Sequence, residues 1–380
     1  MFNWLKKFKI EREIALDRSS ILRQKKYLNL LLKILRSQGE NYHNPQLIYP
    51  ILIEHQDKLD KNFALILQQW SSKAFLTLNR QQVSNLAILI HAFSDCIQNF
   101  PLGNRANNLE IAMSGYLTVL EIYTAREFPA SWGEIQNNLG NVYIERIEGS
   151  RAENIEKAIA AYNLALTVNT RAKFPLKWAE INANIGNAYN HRILGTRADN
   201  LETIIQHLNA ALEVNLRAEL PFYWAKIQTD CGSVYKQRIC GERAENIEKA
   251  IAAYQSALEI YNCHDFSCYH WLEIQIELGN AYCNRVKGER ANNIESAIAH
   301  YHAALKASNR QAFPLVWAKI QNGLGNAYTQ RICGEVRVNI KKAISAYQSA
   351  LEIYQPHKFP CHWREIQNNL ADIEKMTDVF

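Results

Sequence analysis

The chain has 380 residues, 48% of them hydrophobic, the composition of a folded protein with ample core and not of a disordered one. Its net charge of +6 is concentrated at the start: residues 1–26 hold eight Lys and Arg against Glu11, Glu13 and Asp17, a balance of +5 that leaves the other 354 residues at +1. That balance argues against a long basic groove for nucleic acid, and eight cysteines without CxxC spacing read as free thiols of a reducing, cytoplasmic setting.

At the beginning, Phe2, Trp4, Leu5 and Phe8 fall on one face of a short helix whose other positions include Lys6, Lys7 and Lys9. Such a basic amphipathic start suits either weak contact of residues 1–10 with an anionic membrane surface or packing onto the next helix. The lysines interrupt the only early apolar stretch, so no secretory signal is read, and no run of 18 apolar residues occurs to span a bilayer. Apolar spacing next predicts helices around 20–37, 46–57 and 60–77. This N-terminal helical region, residues 1–80, does not share the pattern that follows.

From residue 81 onward the chain repeats itself. Trp132, Trp178, Trp224, Trp271, Trp317 and Trp363 recur at a spacing of 46 or 47 residues. Each of the first five is followed by the same phrase: Leu139-Gly140-Asn141-Val142-Tyr143, Ile185-Gly186-Asn187-Ala188-Tyr189, Cys231-Gly232-Ser233-Val234-Tyr235, Leu278-Gly279-Asn280-Ala281-Tyr282 and Leu324-Gly325-Asn326-Ala327-Tyr328. A fixed period of this length signals one supersecondary unit stacked on copies of itself, since one unit cannot bury its own apolar face.

Within one unit, Pro129 marks the start of a helix A, because proline in a first turn sacrifices no hydrogen bond. Steps of 100° put Trp132, Ile135, Leu139 and Tyr143 in one stripe and Glu134, Asn137, Asn141 and Glu145 opposite, which predicts an amide-rich outer face. Gly149, recurring as Gly103, Gly195, Gly241, Gly288 and Gly334, fits a helix-ending residue of positive φ. Asn154 recurs in every unit as Asn108, Asn200, Asn246, Asn293 and Asn339, and is read as the cap from which helix B starts, with Glu156 in its first turn. Ile155, Ala158, Ile159, Tyr162, Ala165 and Leu166 form the buried stripe of helix B.

The stretch before Trp132, residues 82–128, keeps Gly103, Arg105, Asn108, Tyr116 and Leu120 but has Phe93, Ser94 and Asp95 for Leu-Gly-Asn, the mark of a degenerate first repeat. At the other end Trp363 opens a helix in which Ala371, Asp372 and Glu374 replace Gly, Asn and Tyr, the pattern of a solvating cap.

The phrases Leu139-Gly140-x-x-Tyr143 and Ala158-x-x-x-Tyr162-x-x-Ala165 resemble the signature of the tetratricopeptide repeat (TPR), here in a version with longer loops and the aromatic moved from Gln136 to Trp132. This long-loop form is similar to repeat arrays of cyanobacterial proteins that often carry a caspase-like CHAT protease domain, which is absent from this sequence. The resemblance implies an all-α, right-handed α-solenoid, with helices A lining its concave side. It also implies that the column Asn141, Asn187, Ser233, Asn280 and Asn326, with Asn137 beside it, lines a groove that pairs with the backbone of an extended peptide.

Two arginine columns, 146, 192, 238, 285, 331 and 105, 151, 197, 243, 290, are read as structural, the first bridging to Glu110, Glu156, Glu202, Glu248 and Glu295. Cys263, His264, Cys268 and His270 crowd one loop, but their spacing matches no usual zinc pattern, and no metal or cofactor is expected. No P-loop, HExxH, GxGxxG or GxSxG context occurs, so no catalytic residue is assigned. The expectation is a non-enzymatic scaffold or adaptor that binds a peptide or protein partner and no nucleic acid. The alternative is a regulatory or sensor subunit of a separately encoded CHAT-type protease or signalling enzyme.

Overall fold

A computed structural model describes residues 18–40, 44–214, 216–263 and 268–377. The chain divides into two compact units, Met1–Gly195 and Thr196–Phe380. All regular structure among the described residues is helical, and in each unit successive helices pack in order along the chain, which is the arrangement of an α-solenoid.

The first unit opens with α1 (Arg18–Glu40), α2 (Pro45–Glu54) and α3 (Lys61–Thr77), close to the three predicted spans. Their apolar faces do not form a separate core. Leu31, Ile34, Leu35, Phe63 and Leu67 are fully buried in one cluster with Leu86, Ile90 and Phe93 of α4 (Arg80–Gln98) and Leu109 and Tyr116 of α5 (Arg105–Leu120). Phe63 and Phe93 meet edge to face at 5.9 Å, and Ser114 Oγ donates to the Ala64 carbonyl at 2.9 Å, so the degenerate repeat is the surface on which the N-terminal helices pack. The repeat hairpin α6 (Pro129–Glu145) and α7 (Arg151–Val168) follows, and α8 (Pro175–Asn190) packs on α7.

The second unit runs α9 (Arg197–Leu212), a short α10 (Leu216–Glu219), α11 (Pro221–Gln237), α12 (Arg243–Leu258), α13 (Cys268–Cys283), α14 (Arg290–Ala307), α15 (Pro314–Thr329), α16 (Val336–Leu351) and α17 (Pro360–Thr377). Its A–B hairpins are α11/α12, α13/α14 and α15/α16, with α17 packed on α16. In α17 the apolar Ile366 and Ile373 are buried while Ala371, Asp372 and Glu374 are exposed, so one face docks and the other is solvated.

Local chemistry explains the punctuation. Proline occupies the first turn of α6, α8, α11 and α15. Gly103, Gly149, Gly195, Gly241, Gly288 and Gly334 all have φ between 76° and 81°, the left-handed conformation expected of them, but not at the end of helix A. Already capped by Arg146, α6 ends before Gly149, which lies in the loop directly before Ser150, the N-cap of α7, so the glycine turns the chain into helix B. The glycine of the Leu-Gly-Asn phrase serves differently: a Cβ on Gly140, Gly232, Gly279 or Gly325 would lie 2.3–2.6 Å from the ring of Tyr162, Tyr254, Tyr301 or Tyr347 on helix B. Only hydrogen at that position lets the two helices close.

Helix B begins earlier than the sequence suggested. In α7 the first helical residue is Arg151 and the extended residue before it is Ser150, so Asn154 is not a cap and Glu156 lies in the second turn. The buried Asn154 amide donates instead to the Glu148 carbonyl at 2.8 Å, and Asn108, Asn246, Asn293 and Asn339 make the matching bond at 2.9 Å. This column fastens the A–B loop from inside. A short amide four residues into a helix does what a cap does, satisfying backbone that the turn leaves without a helical partner.

Consecutive repeats are joined by arginine. Arg146, Arg192, Arg238, Arg285 and Arg331 each make two parallel bonds, 2.6–3.1 Å long, to Glu110, Glu156, Glu202, Glu248 and Glu295 on helix B of the preceding repeat. Arg146, Arg238, Arg285 and Arg331 also donate to the loop asparagine of their own repeat. The second column works at the end of helix A: Arg105, Arg151, Arg243 and Arg290 donate to the carbonyls of Gln98, Ile144, Lys236 and Cys283, and Arg105, Arg197 and Arg290 reach Glu145, Gln237 and Gln330 of the next repeat. Both columns are structural, as bidentate guanidinium geometry suits.

Candidate functional site

The Asn column sits on helix A one residue after the close-contact glycine, so the same tyrosine that packs on the glycine brings its hydroxyl to the amide. Tyr162 donates to Asn141 Oδ1 at 2.8 Å, Tyr301 to Asn280 at 2.7 Å and Tyr347 to Asn326 at 2.6 Å, while Ser233 and Tyr254 meet at 3.2 Å. Burial raises the hydroxyls of Tyr254, Tyr301 and Tyr347 above their ordinary range, which keeps them protonated donors at neutral pH.

The hydroxyl fixes which end of each amide is occupied. Among the described residues the Nδ2 groups of Asn141, Asn280 and Asn326 have no hydrogen-bond partner, and these residues are half-exposed. Asn187 is exposed, and its position in the repeat is matched on helix B by Leu208 in place of tyrosine. The column therefore offers amide donors held in place by a phenol behind them.

Asn137 lies differently from its predicted place. It is only 7% exposed and belongs to a network between neighbouring A helices, donating to Glu180 at 3.3 Å and accepting from Asn184 at 3.0 Å. Glu134 and Glu145, placed with it on the outer face, are exposed. The helical wheel assigned Asn137 to solvent because it counts one helix, whereas in a stack the flank of one A helix is covered by the next.

That flank carries a second polar column, one residue beyond Asn137. Asn138 donates to Asp95 Oδ1 at 2.9 Å, and Asn369 donates to Asn326 Oδ1 at 3.1 Å, each across one repeat. The signal was present as the same spacing of Asn138, Asn184 and Asn369. Around Asn326 the surface opens into a cleft of about 190 Å³ lined by Asn326, Thr329, Gln330, Tyr347, Asn369 and Asp372, every one of them polar.

The A helices also carry charge. Lys177 pairs with Glu134 in the first unit; in the second, Lys226, Lys236 and Lys319 pair with Asp230, Glu277 and Glu273. In the first unit Asp95 and Glu180 are both held above the ordinary carboxylate range, chiefly by desolvation and partly by the nearby charge of Glu134.

Other candidates stand apart from this site. Each of the eight cysteines is free, and His264, of the cysteine–histidine loop, lies outside the described residues, as do residues 1–17 with their basic amphipathic start. No group of three or more His, Cys, Asp or Glu among the described residues is placed to hold a metal ion. Nor is any described helix long and apolar enough to cross a membrane. The chain was compared with known protein families and with curated proteins, and neither comparison gave a match.

Proposed function

We propose that this chain is a tetratricopeptide-like adaptor without catalytic activity of its own, which captures an extended segment of a partner protein along its A helices. The observation that carries this reading is the oriented amide column. A peptide in extended form presents a carbonyl at regular intervals, and within each unit donors already fixed by tyrosine, Tyr162 in the first and Tyr301 and Tyr347 in the second, bind it with little loss of side-chain freedom. Free thiols on eight cysteines fit a reducing, cytoplasmic setting for such a protein.

The test is affinity capture from lysate with the full chain, followed by capture with a variant carrying Asn187→Ala, Asn141→Ser and Asn280→Ser. Serine is the natural residue at position 233, where it keeps contact with tyrosine, so the fold is retained while the amide donors are removed. The expected result is loss of a specifically retained partner by about tenfold or more, since each hydrogen bond contributes roughly 0.5–1.5 kcal/mol. Equal retention by an intact variant overturns the reading.

A second reading, regulation of a separately encoded enzyme, draws on a different surface. Ile147, Ile193, Ile239, Val286 and Ile332 occupy one column at the A–B loop and stay 61–65% exposed, although the next position varies freely among Glu148, Leu194, Cys240, Lys287 and Cys333. Charging this column with Ile239→Glu and Ile332→Glu distinguishes the two, because the adaptor reading requires peptide capture to survive it.

A further inference from the structure

The cleft beside Asn326 narrows the chemistry of the partner, if the A-helix reading above holds. Its lining is rich in acceptors. The Oδ1 of Asn326 is taken by the Tyr347 hydroxyl and the Asn369 amide, and the Thr329 hydroxyl donates its proton to the Gly325 carbonyl at 2.9 Å. What remains to meet an incoming group is the Asp372 carboxylate, the Asn369 amide oxygen and the Thr329 hydroxyl oxygen, with the Nδ2 of Asn326 and the Nε2 of Gln330 as the donors among them. Gln330 Oε1 already accepts from Arg290 and is not available to an incoming group.

We propose that this cleft receives an arginine side chain of the bound peptide. A guanidinium has five N–H donors and no acceptor, the complement of the Asp372, Asn369 and Thr329 oxygens, and it is planar enough to enter between α15 and α17. The volume of about 190 Å³ is that of roughly six waters at about 30 Å³ each, enough for such a head group. Among the described residues Asp372 has one cationic partner, Lys375 at 2.9 Å, but both side chains are more than 70% exposed. An exposed pair of this kind contributes little and exchanges readily for a better-placed donor. Charge elsewhere on the A helices of this unit agrees, since Lys226, Lys236 and Lys319 are each already paired with a carboxylate and offer no attraction to an acidic peptide. Asparagine becomes aspartate at this position of the repeat only at Asp95 and Asp372, and Asp95 is consumed by Tyr116 and Asn138.

The test uses the full chain and three fluorescent peptides of equal length, alternating Gly-Arg, Gly-Gln and Gly-Glu, read by anisotropy at low and at moderate salt. The Gly-Arg peptide is expected to bind most tightly, to lose about tenfold on Asp372→Asn, and to gain on Lys375→Ala, which removes the internal competitor. Asp372 is exposed, so its substitution leaves the fold intact, as circular dichroism would verify. Equal binding of the Gly-Gln peptide, or no effect of Asp372→Asn, overturns the arginine assignment and leaves the groove reading standing. If all three peptides fail to bind while a lysate partner is still captured through Asn141, Asn187 and Asn280, the assignment is likewise overturned and the groove is not. Failure of both experiments removes the groove itself.

Discussion

The hydroxyl of Tyr301 donates to Asn280 Oδ1 at 2.7 Å while its ring occupies the space that a side chain on Gly279 would need. One aromatic residue thus explains two neighbouring columns. The glycine is there so that the ring can approach, and the asparagine is there, at least in part, because the hydroxyl that arrives with the ring needs an acceptor in a buried place.

Gly279→Ala sets two effects against each other. Alanine favours a helix by about 1 kcal/mol over glycine, but its Cβ would fall 2.6 Å from Cε1 and Cζ of a ring that is itself fully buried. Overpacking of this kind costs typically 1–3 kcal/mol, so the expected outcome is a net loss of up to about 2 kcal/mol in urea unfolding. A gain in stability would show that the helices can part without penalty.

The amide column should divide into two classes when each residue is changed to alanine. Asn280→Ala leaves the buried Tyr301 hydroxyl without its acceptor and is expected to lose about 1–3 kcal/mol. Asn187→Ala, exposed and matched by Leu208, should fall within about 0.5 kcal/mol of the parent. Thermal melts of the two single variants side by side check this, and equal losses would mean that the tyrosine contributes nothing to the difference.

Much of this fold was legible in the sequence. Period, helix pairs, the positive-φ glycines and the structural arginines follow from residue spacing, because a repeat prints the same local constraint several times. Three features were not, the first being the place of Gly149, which keeps its positive φ but lies in the loop before helix B and not at the end of helix A. Asn154 was read as a cap because a short amide before an apolar run is the usual cap signature, yet the turn before it is tight enough that Arg151 is already helical and the amide turns back to the Glu148 carbonyl. Asn137 was placed toward solvent because the wheel of one helix cannot know that Glu180 and Asn184 of the next will cover it. Both asparagine misplacements concern contacts beyond the segment that carries the residue. The site was legible as a column and not as a mechanism, since nothing in the spacing says that Tyr162 takes one end of Asn141.

The arginine bridges should couple neighbouring repeats. Glu248 is held below its ordinary range by the hydrogen bonds from Arg285, with both side chains a little over a quarter exposed. Partial exposure limits the worth of the pair to about 1 kcal/mol, and a double-mutant cycle of Glu248→Gln and Arg285→Met should return a coupling energy of that order. Because the folded value is depressed, the contribution is present above the ordinary carboxylate range and is lost as pH falls through the lowered value. A coupling energy of zero at neutral pH, or one that persists after Glu248 is protonated, would rule out the ion pair as the link.

Asp95 offers the converse case. It stands where later repeats have asparagine and accepts from Tyr116 at 2.6 Å and from Asn138 at 2.9 Å, as Asn326 accepts from Tyr347 and Asn369. An asparagine oxygen serves both donors equally well, so the negative charge at Asp95 is not needed for the geometry. Desolvation and the charge of Glu134 raise its carboxyl above the ordinary range, against the opposing effects of His91 at 3.6 Å and the two hydrogen bonds. The folded chain therefore holds this proton more tightly than the unfolded chain does, and stability declines as pH rises through the window between the two values. Asp95→Asn removes that decline. The variant is expected to melt about 1–3 °C above the parent at pH 7.5, with the gap closing as pH falls through the raised value of Asp95 and the parent takes up that proton. Melting curves of both proteins across that range measure the gap directly; a variant less stable than the parent at pH 7.5 would mean that the His91–Asp95 attraction outweighs the burial of the charge.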